Sequence, residues 1–158
     1  MKKVILGFLL ITATYTSYAQ KAAKAVYAEL GGPGVASLNF DTRFAKKEDG
    51  IGGRIGFGGF NIDGTSAIFL PIGINYIISK DKKHYFELGG GFTYVNYNDD
   101  FFNDEDKGAF QTSFGHLNIG YRVQPADGGF FFRAAINPVF GKGFFIPYYA
   151  GVGFGYKF

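Results

Sequence analysis

Residues 150–158 read AGVGFGYKF. Ala150, Val152, Phe154, Tyr156 and Phe158 share one parity, and Gly151, Gly153, Gly155 and Lys157 fill the other. Successive side chains of a strand point to opposite faces, so this segment predicts a strand with one apolar face and one nearly bare face. Working back along the chain, the same rhythm recurs over about 25–31, 35–44, 51–60, 66–79, 84–97, 109–123 and 129–139, with the last segment at about 146–158. Most of these segments are close to the about 9–11 residues that a tilted strand needs to cross a bilayer. Between them lie GGPG (31–34), AKKEDG (45–50), NIDGT (61–65), KDKK (80–83), PADGG (125–129) and GKGFF (141–145), short polar or glycine-rich connections of hairpin type. Only NDDFFNDEDKG (98–108) is long.

Composition agrees with many short strands. The chain has 158 residues, which fits one domain. Its 25 glycines and its Phe and Tyr content favour strands and turns over helices. With no cysteine there is no disulfide framework, thiolate metal site or lipidated thiol. The first residues, MKKVILGFLLITATYTSYAQ, combine a basic start, an apolar run from Val4 to about Ala13, and small residues at Ser17 and Ala19. That is the pattern of a cleaved export signal over 1–19, with the mature domain at 20–158. The apolar run is about half the length of a spanning helix. Without Lys2 and Lys3 the mature chain is nearly neutral, so nucleic acid is not an expected partner.

Alternation alone does not say which face is inside. A soluble barrel of lipocalin type would enclose the apolar set; a membrane barrel turns it outward. The charges decide. Arg43, Arg54, Arg122 and Arg133 all lie within strands on the polar face, whereas the lysines fall at termini, turns and loops. A soluble sheet surface would carry lysine along its strands. Arginine suits an enclosed site, where its fork binds carboxylates at two points. Glu29, Asp41 and Glu87 share its face and supply the partners; His116 lies on the same face. The fold expected is therefore all-β, an eight-stranded antiparallel up-and-down transmembrane β-barrel. Glu29, Asp41, Arg43, Arg54, Glu87, His116, Arg122 and Arg133 would form a structural charge network in its lumen.

Other chemistries fare worse. His84 sits in a turn beside Lys82 and Lys83, and Ser113 lies three positions before His116, on the opposite face of a strand. No local nucleophile–base pair results, so no catalytic residue and no enzymatic activity is expected. The acidic residues Asp99, Asp100, Asp104, Glu105 and Asp106 lack the spacing of a calcium loop and read as a solvated loop. The glycine strings GIGGRIGFGG and AGVGFG precede no helical pattern and are not dinucleotide sites. No cofactor and no metal is expected.

The chain as a whole resembles the OmpA/OmpX-type eight-stranded outer-membrane barrels. The segments YAELGGPGVASLNFDTRF (27–44), YFELGGGFTYVNY (85–97) and GYRVQPADGGFFFRAAINP (120–138) are similar to a broad group of small bacterial outer-membrane barrels. The resemblance implies the cell outer membrane of a gram-negative bacterium, with both mature termini in the periplasm. It also implies contact with outer-membrane lipid and lipopolysaccharide. Gly153, Phe154, Tyr156 and Phe158 resemble the C-terminal signal read by the barrel-insertion machinery. No peptidoglycan-binding domain follows the barrel, so a wall-tethering role does not carry over. The function expected is structural or accessory, with a larger outer-membrane complex as a candidate partner, and with a largely closed polar lumen. The alternative is a narrow transport or small-ligand-binding barrel.

Overall fold

The computed structural model describes residues 22–62, 65–99 and 110–158. The expected export signal and residues 100–108 of the long connection, with Asp100, Asp104, Glu105 and Asp106, lie outside the described residues, whereas Asn98 and Asp99 belong to a strand.

Ten strands form one antiparallel sheet: β1 (Lys24–Gly31), β2 (Ala36–Arg43), β3 (Gly50–Ile62), β4 (Thr65–Ser79), β5 (His84–Asp99), β6 (Phe114–Val123), β7 (Gly129–Ile136), β8 (Val139–Gly141), β9 (Phe144–Ile146) and β10 (Ala150–Lys157). Each of β1 to β5 pairs with the next, β5 pairs with β6 and β6 with β7. β10 lies between β7 and β1, where Ala28 faces Phe154 and Val26 faces Tyr156. The sheet thus closes on itself as an eight-stranded barrel. Closure pairs the long strands of the wall on both sides, as a sheet that crosses lipid requires.

The two extra short strands begin or end beside prolines. The expected strand 129–139 runs as β7 and then β8, separated by Asn137 and Pro138, and the expected strand 146–158 runs as β9 and then β10, separated by Pro147, Tyr148 and Tyr149. Proline cannot donate to the ladder, and here the ladder stops and restarts around it. Bonds across the break keep the wall continuous: Asn137 N–H donates to Tyr149 O at 2.5 Å and Leu117 N–H to Pro138 O at 2.8 Å. The hairpin β8–β9 continues the wall and pairs with β6 through His116 and Val139.

One end of the barrel carries the start of β1, the end of β10 and the turns 44–49, 80–83 and 124–128; it is termed the termini end. The other, the loop end, carries the turns 32–35 and 142–143. In the first of these Gly31 and Gly32 have φ of 70° and 68°, a conformation that costs glycine little.

The outer surface is apolar around the circumference. Leu38, Ile55, Phe57, Ile72, Ile74, Leu88, Phe92, Ile119 and Phe154 all point outward, with Phe57 and Ile74 each 60% exposed. In a protein bathed in water such a continuous band would be an aggregation surface. Inside lie Glu29, Asn39, Asp41, Arg43, Arg54, Asn75, Glu87, His116, Asn118, Arg122, Arg133 and Asn137, all buried. Polar inside and apolar outside is the inverted arrangement of a membrane-spanning barrel.

The lumen is not polar along its whole length. At the loop end Ala67, Phe69, Val95, Phe114 and Val139 also point inward and form an apolar plug, against which Val35, Phe60, Phe110, Phe144, Ile146 and Tyr149 pack. Towards the termini end Ala25, Tyr27 and Phe131 form a second apolar layer, with the Tyr27 and Phe131 rings stacked at 4.7 Å. The expectation of a polar lumen is corrected to a charged belt with apolar layers beside it.

Candidate functional site

The belt is built by register. Asp41 on β2 faces Arg54 on β3, and Arg54 faces Gly73 on β4. Glu87 on β5 faces Gly120 on β6, and Arg122 on β6 faces Arg133 on β7. Glu29 on β1 faces Gly153 on β10. Glycines thus face three of the large side chains, Arg54, Glu87 and Glu29, and make room for them in a bore of this width. A Cβ on Gly52 would stand 2.2 Å from the Arg43 guanidinium carbon, and one on Gly153 would stand 2.9 Å from the Tyr27 ring. These glycines leave the space that Arg43 and Tyr27 occupy.

Within the belt each carboxylate holds two arginines. Asp41 pairs with Arg43 at 2.5 Å and with Arg122 at 2.9 Å. Glu87 pairs with Arg122 at 2.8 Å and with Arg133 at 3.2 Å. Glu29 pairs with Arg54 at 2.5 Å and also with Arg133 Nη1. The result is an alternating path: Arg43, Asp41, Arg122, Glu87, Arg133, Glu29, Arg54. Neutral groups complete it. Arg43 donates to Asn75 Oδ1 and to Gly50 O, Asn75 donates to Asp41 Oδ2, and Arg54 Nε donates to Asn39 Oδ1 at 3.2 Å. Arg122 also lies over the Phe131 ring at 5.1 Å, so the apolar layer supports the belt from below.

All of the lumenal residues singled out from the sequence are buried inside the barrel, and seven of them join this path. His116 stands apart from it. Its Nδ1 lies 3.3 Å from Thr93 Oγ1, whose hydroxyl donates to Pro33 O, so it ties β6 and β5 to the 32–35 turn. Ser113 Oγ accepts the Val95 N–H at 3.1 Å. His84 is exposed at the termini end, stacked on the Tyr121 ring and bonded through Nδ1 to its hydroxyl. Among the described residues no cluster of His, Cys, Asp and Glu has the composition of a metal site.

Three contributors were not singled out from the sequence. Asn75 and Asn39 act as neutral connectors in the belt, but asparagine in a glycine-rich strand carries no distinguishing pattern. Lys157 is 4% exposed; its Nζ pairs with Glu48 at 2.9 Å and also donates to Ala126 O, fastening the last strand to two turns at the termini end. Its place opposite Gly129 at the strand end was the one available signal.

The C-terminal residues divide by parity. Gly153 faces the lumen, while Phe154, Tyr156 and Phe158 point outward. Phe154 packs on Phe132 with centroids 5.3 Å apart, and the Phe158 N–H donates to Lys24 O at 2.9 Å. Elsewhere on the exterior, a groove of about 760 Å³ runs over Gly53 and Gly90 between Phe40, Phe44, Ile74 and Phe92.

A closed eight-stranded barrel with an apolar exterior and paired charges inside defines the class of small outer-membrane-type barrels. Solved structures agree on that fold. The N-terminal β-barrel domain of Pseudomonas aeruginosa OprF is similar at a TM-score of 0.58 and 14% identity, covering 88% of this chain and 98% of that one. The Yersinia pestis outer membrane protein Ail, determined in a phospholipid bilayer nanodisc, is similar at a TM-score of 0.54 and 12% identity, covering 88% of this chain and 99% of that one. No protein-family model and no curated protein matches the chain.

Proposed function

We propose that this protein is a structural or accessory barrel of the bacterial outer membrane, with a bore closed to solutes. The observation that carries this reading is the filling of the lumen: a belt of paired arginines and carboxylates, with the Phe69–Phe114–Val139 plug on its loop-end side. Ionic side chains locked to one another across a narrow bore leave no continuous path for solutes. Purified protein in planar bilayers should show no stable conductance of porin size, and a large persistent conductance would reverse the assignment.

The termini end would face the periplasm, because an even number of strands brings both chain ends to one side and export delivers them there. The 98–108 connection would then face outward, beside lipopolysaccharide. An epitope tag between Asp104 and Lys107 should be reachable on intact cells; detection only after permeabilisation would invert the topology. The Ail structure in a lipid nanodisc supports a bilayer environment for this fold. An accessory role is supported by the exterior groove over Gly53 and Gly90, where small residues allow a second membrane protein to approach closely. Gly153, Phe154, Tyr156 and Phe158 would serve as the signal that presents the last strand to the insertion machinery.

A further inference from the structure

The charges enclosed in the belt do not balance. The alternating path begins and ends on arginine, so Glu29, Asp41 and Glu87 are shared among Arg43, Arg54, Arg122 and Arg133. Lys157 does not alter the count, because Glu48 answers it at the rim. One positive charge is left over in a compartment where an uncompensated charge is expensive.

The two ends of the path are not equivalent. Arg43 has Asn75 Oδ1 and Gly50 O in addition to Asp41, and it lies beside the termini-end turn that bears Glu48 and Asp49. Arg54 has less. Its Nη2 shares Glu29 with Arg133, its Nε reaches a neutral amide oxygen, and its Nη1 is buried with no hydrogen-bond partner among the described residues. The Tyr27 hydroxyl is likewise buried and unpartnered, and the Arg54 guanidinium lies 5.8 Å from the Tyr27 ring centroid. Next to Arg54 along the wall come Gly73 and then Gly91, and the His116 imidazole reaches into the space a Gly91 side chain would take, its Nε2 2.9 Å from where that Cβ would stand.

We propose that Arg54 holds one small monovalent inorganic anion of the halide class inside the lumen, with Arg54 Nη1 and the Tyr27 hydroxyl as donors. The anion takes the place of the missing fourth carboxylate. The apolar layers on either side of the belt favour a compact, easily desolvated ion over an organic acid. The inference uses only lumenal geometry, and it stands or falls independently of membrane, topology and conductance.

The test is thermal unfolding of the full mature chain, refolded in detergent, at fixed ionic strength with chloride exchanged for gluconate. A ligand bound only by the folded state raises the unfolding midpoint by about 4 °C for each tenfold rise in concentration above its dissociation constant. The wild type should show that chloride-dependent rise. Asn39→Asp supplies a near-isosteric carboxylate beside Arg54 Nε, and it should abolish the dependence while matching in gluconate the midpoint of the wild type in chloride. Equal midpoints of the wild type in chloride and gluconate would overturn the proposal, as would an Asn39→Asp variant that keeps the chloride dependence. Should that variant not fold, wild-type crystals grown in bromide decide. An anomalous peak within hydrogen-bond reach of Arg54 Nη1 sustains the site, and its absence there removes it.

Discussion

Halfway along the bore Glu87 sits between Arg122 and Arg133, while towards the loop end Phe69, Phe114 and Val139 meet one another without a polar atom between them. Both regions are buried inside the same wall, and both fill it, but by opposite physics. The belt depends on every charge keeping its partner, since an ion left alone in the interior is penalised far more than a neutral group. The plug depends on volume, and its members are exchangeable for apolar side chains of similar size. Removing one side chain from each region should therefore have different consequences.

The largest effect is expected at Glu87. Glu87→Ala would leave Arg122 and Arg133 sharing what remains of Asp41 and Glu29, and breaking a buried pair in this way costs about 3–5 kcal/mol. With two guanidiniums each reduced from two carboxylates to one, the variant should refold poorly in detergent, and the part that folds should unfold at much lower denaturant concentration. An unfolding curve that overlays the wild type would show that the belt contributes no stability.

Phe114→Ala should cost less, about 3 kcal/mol, because it opens a cavity without stranding a charge. It should also leave the protein non-conducting in planar bilayers, since the belt still closes the bore. A conductance that appears on truncating Phe114 would move the barrier to ions from the belt to the plug.

The contrast between these regions also explains what could be read from the chain. The outward face was legible because lipid requires apolar residues at every second position, as in Leu70, Ile72, Ile74 and Tyr76. The burial of the arginines was legible because they share the parity of Glu29, Asp41 and Glu87 while the lysines avoid strand interiors. The plug was not. In AIFLPIGINYII (67–78) both parities are largely apolar, and Phe69 and Ile77, both fully buried, carry no mark that separates them from their lipid-facing neighbours. Nor does sequence reveal which carboxylate pairs with which arginine. Arg122 and Asp41 are 81 positions apart and meet across the lumen, a contact set by barrel closure and stagger. The breaks at Pro138 and Pro147 were not legible from the prolines alone, because Pro71 sits inside the continuous strand β4, paired with Thr93 of β5.

The outward band supplies a third comparison, between stability and assembly. Phe158 points outward at the end of the last strand, 59% exposed, and its loss should cost about 1 kcal/mol of folded stability by burial bookkeeping. Apart from the Phe158 N–H bond to Lys24 O, the ladder that closes β10 onto β1 remains. Deleting Phe158 should nevertheless lower the amount reaching the membrane several-fold in cells, while protein refolded in detergent stays β-rich and resistant to unfolding. Equal membrane levels for the deletion and the wild type would end the assembly reading, and failure to refold would assign the ring to stability instead.

The smallest effect belongs to a carboxylate outside the lumen. Asp81 lies in the 80–83 turn at the termini end, where its Oδ1 accepts the His84 N–H at 2.8 Å and the Lys83 N–H at 3.0 Å. Those two donors, with the Ser79 hydroxyl, favour the charged form and pull the carboxyl from its ordinary value down to about 2. Its contribution is therefore complete above the unfolded value of about 4 and fades as the pH falls through 2. Asp81 resembles Asp41 in collecting several donors, but it stands in water, where the same bonds are screened and replaceable. Carboxyl titration by NMR should give a midpoint near 2 for Asp81. Asp81→Ala should speed hydrogen exchange at the Lys83 and His84 amides without a measurable change in the unfolding midpoint. A loss of global stability comparable to that of Glu87→Ala would show that turn charges and belt charges act alike, and the distinction between enclosed and solvated carboxylates would have to be withdrawn.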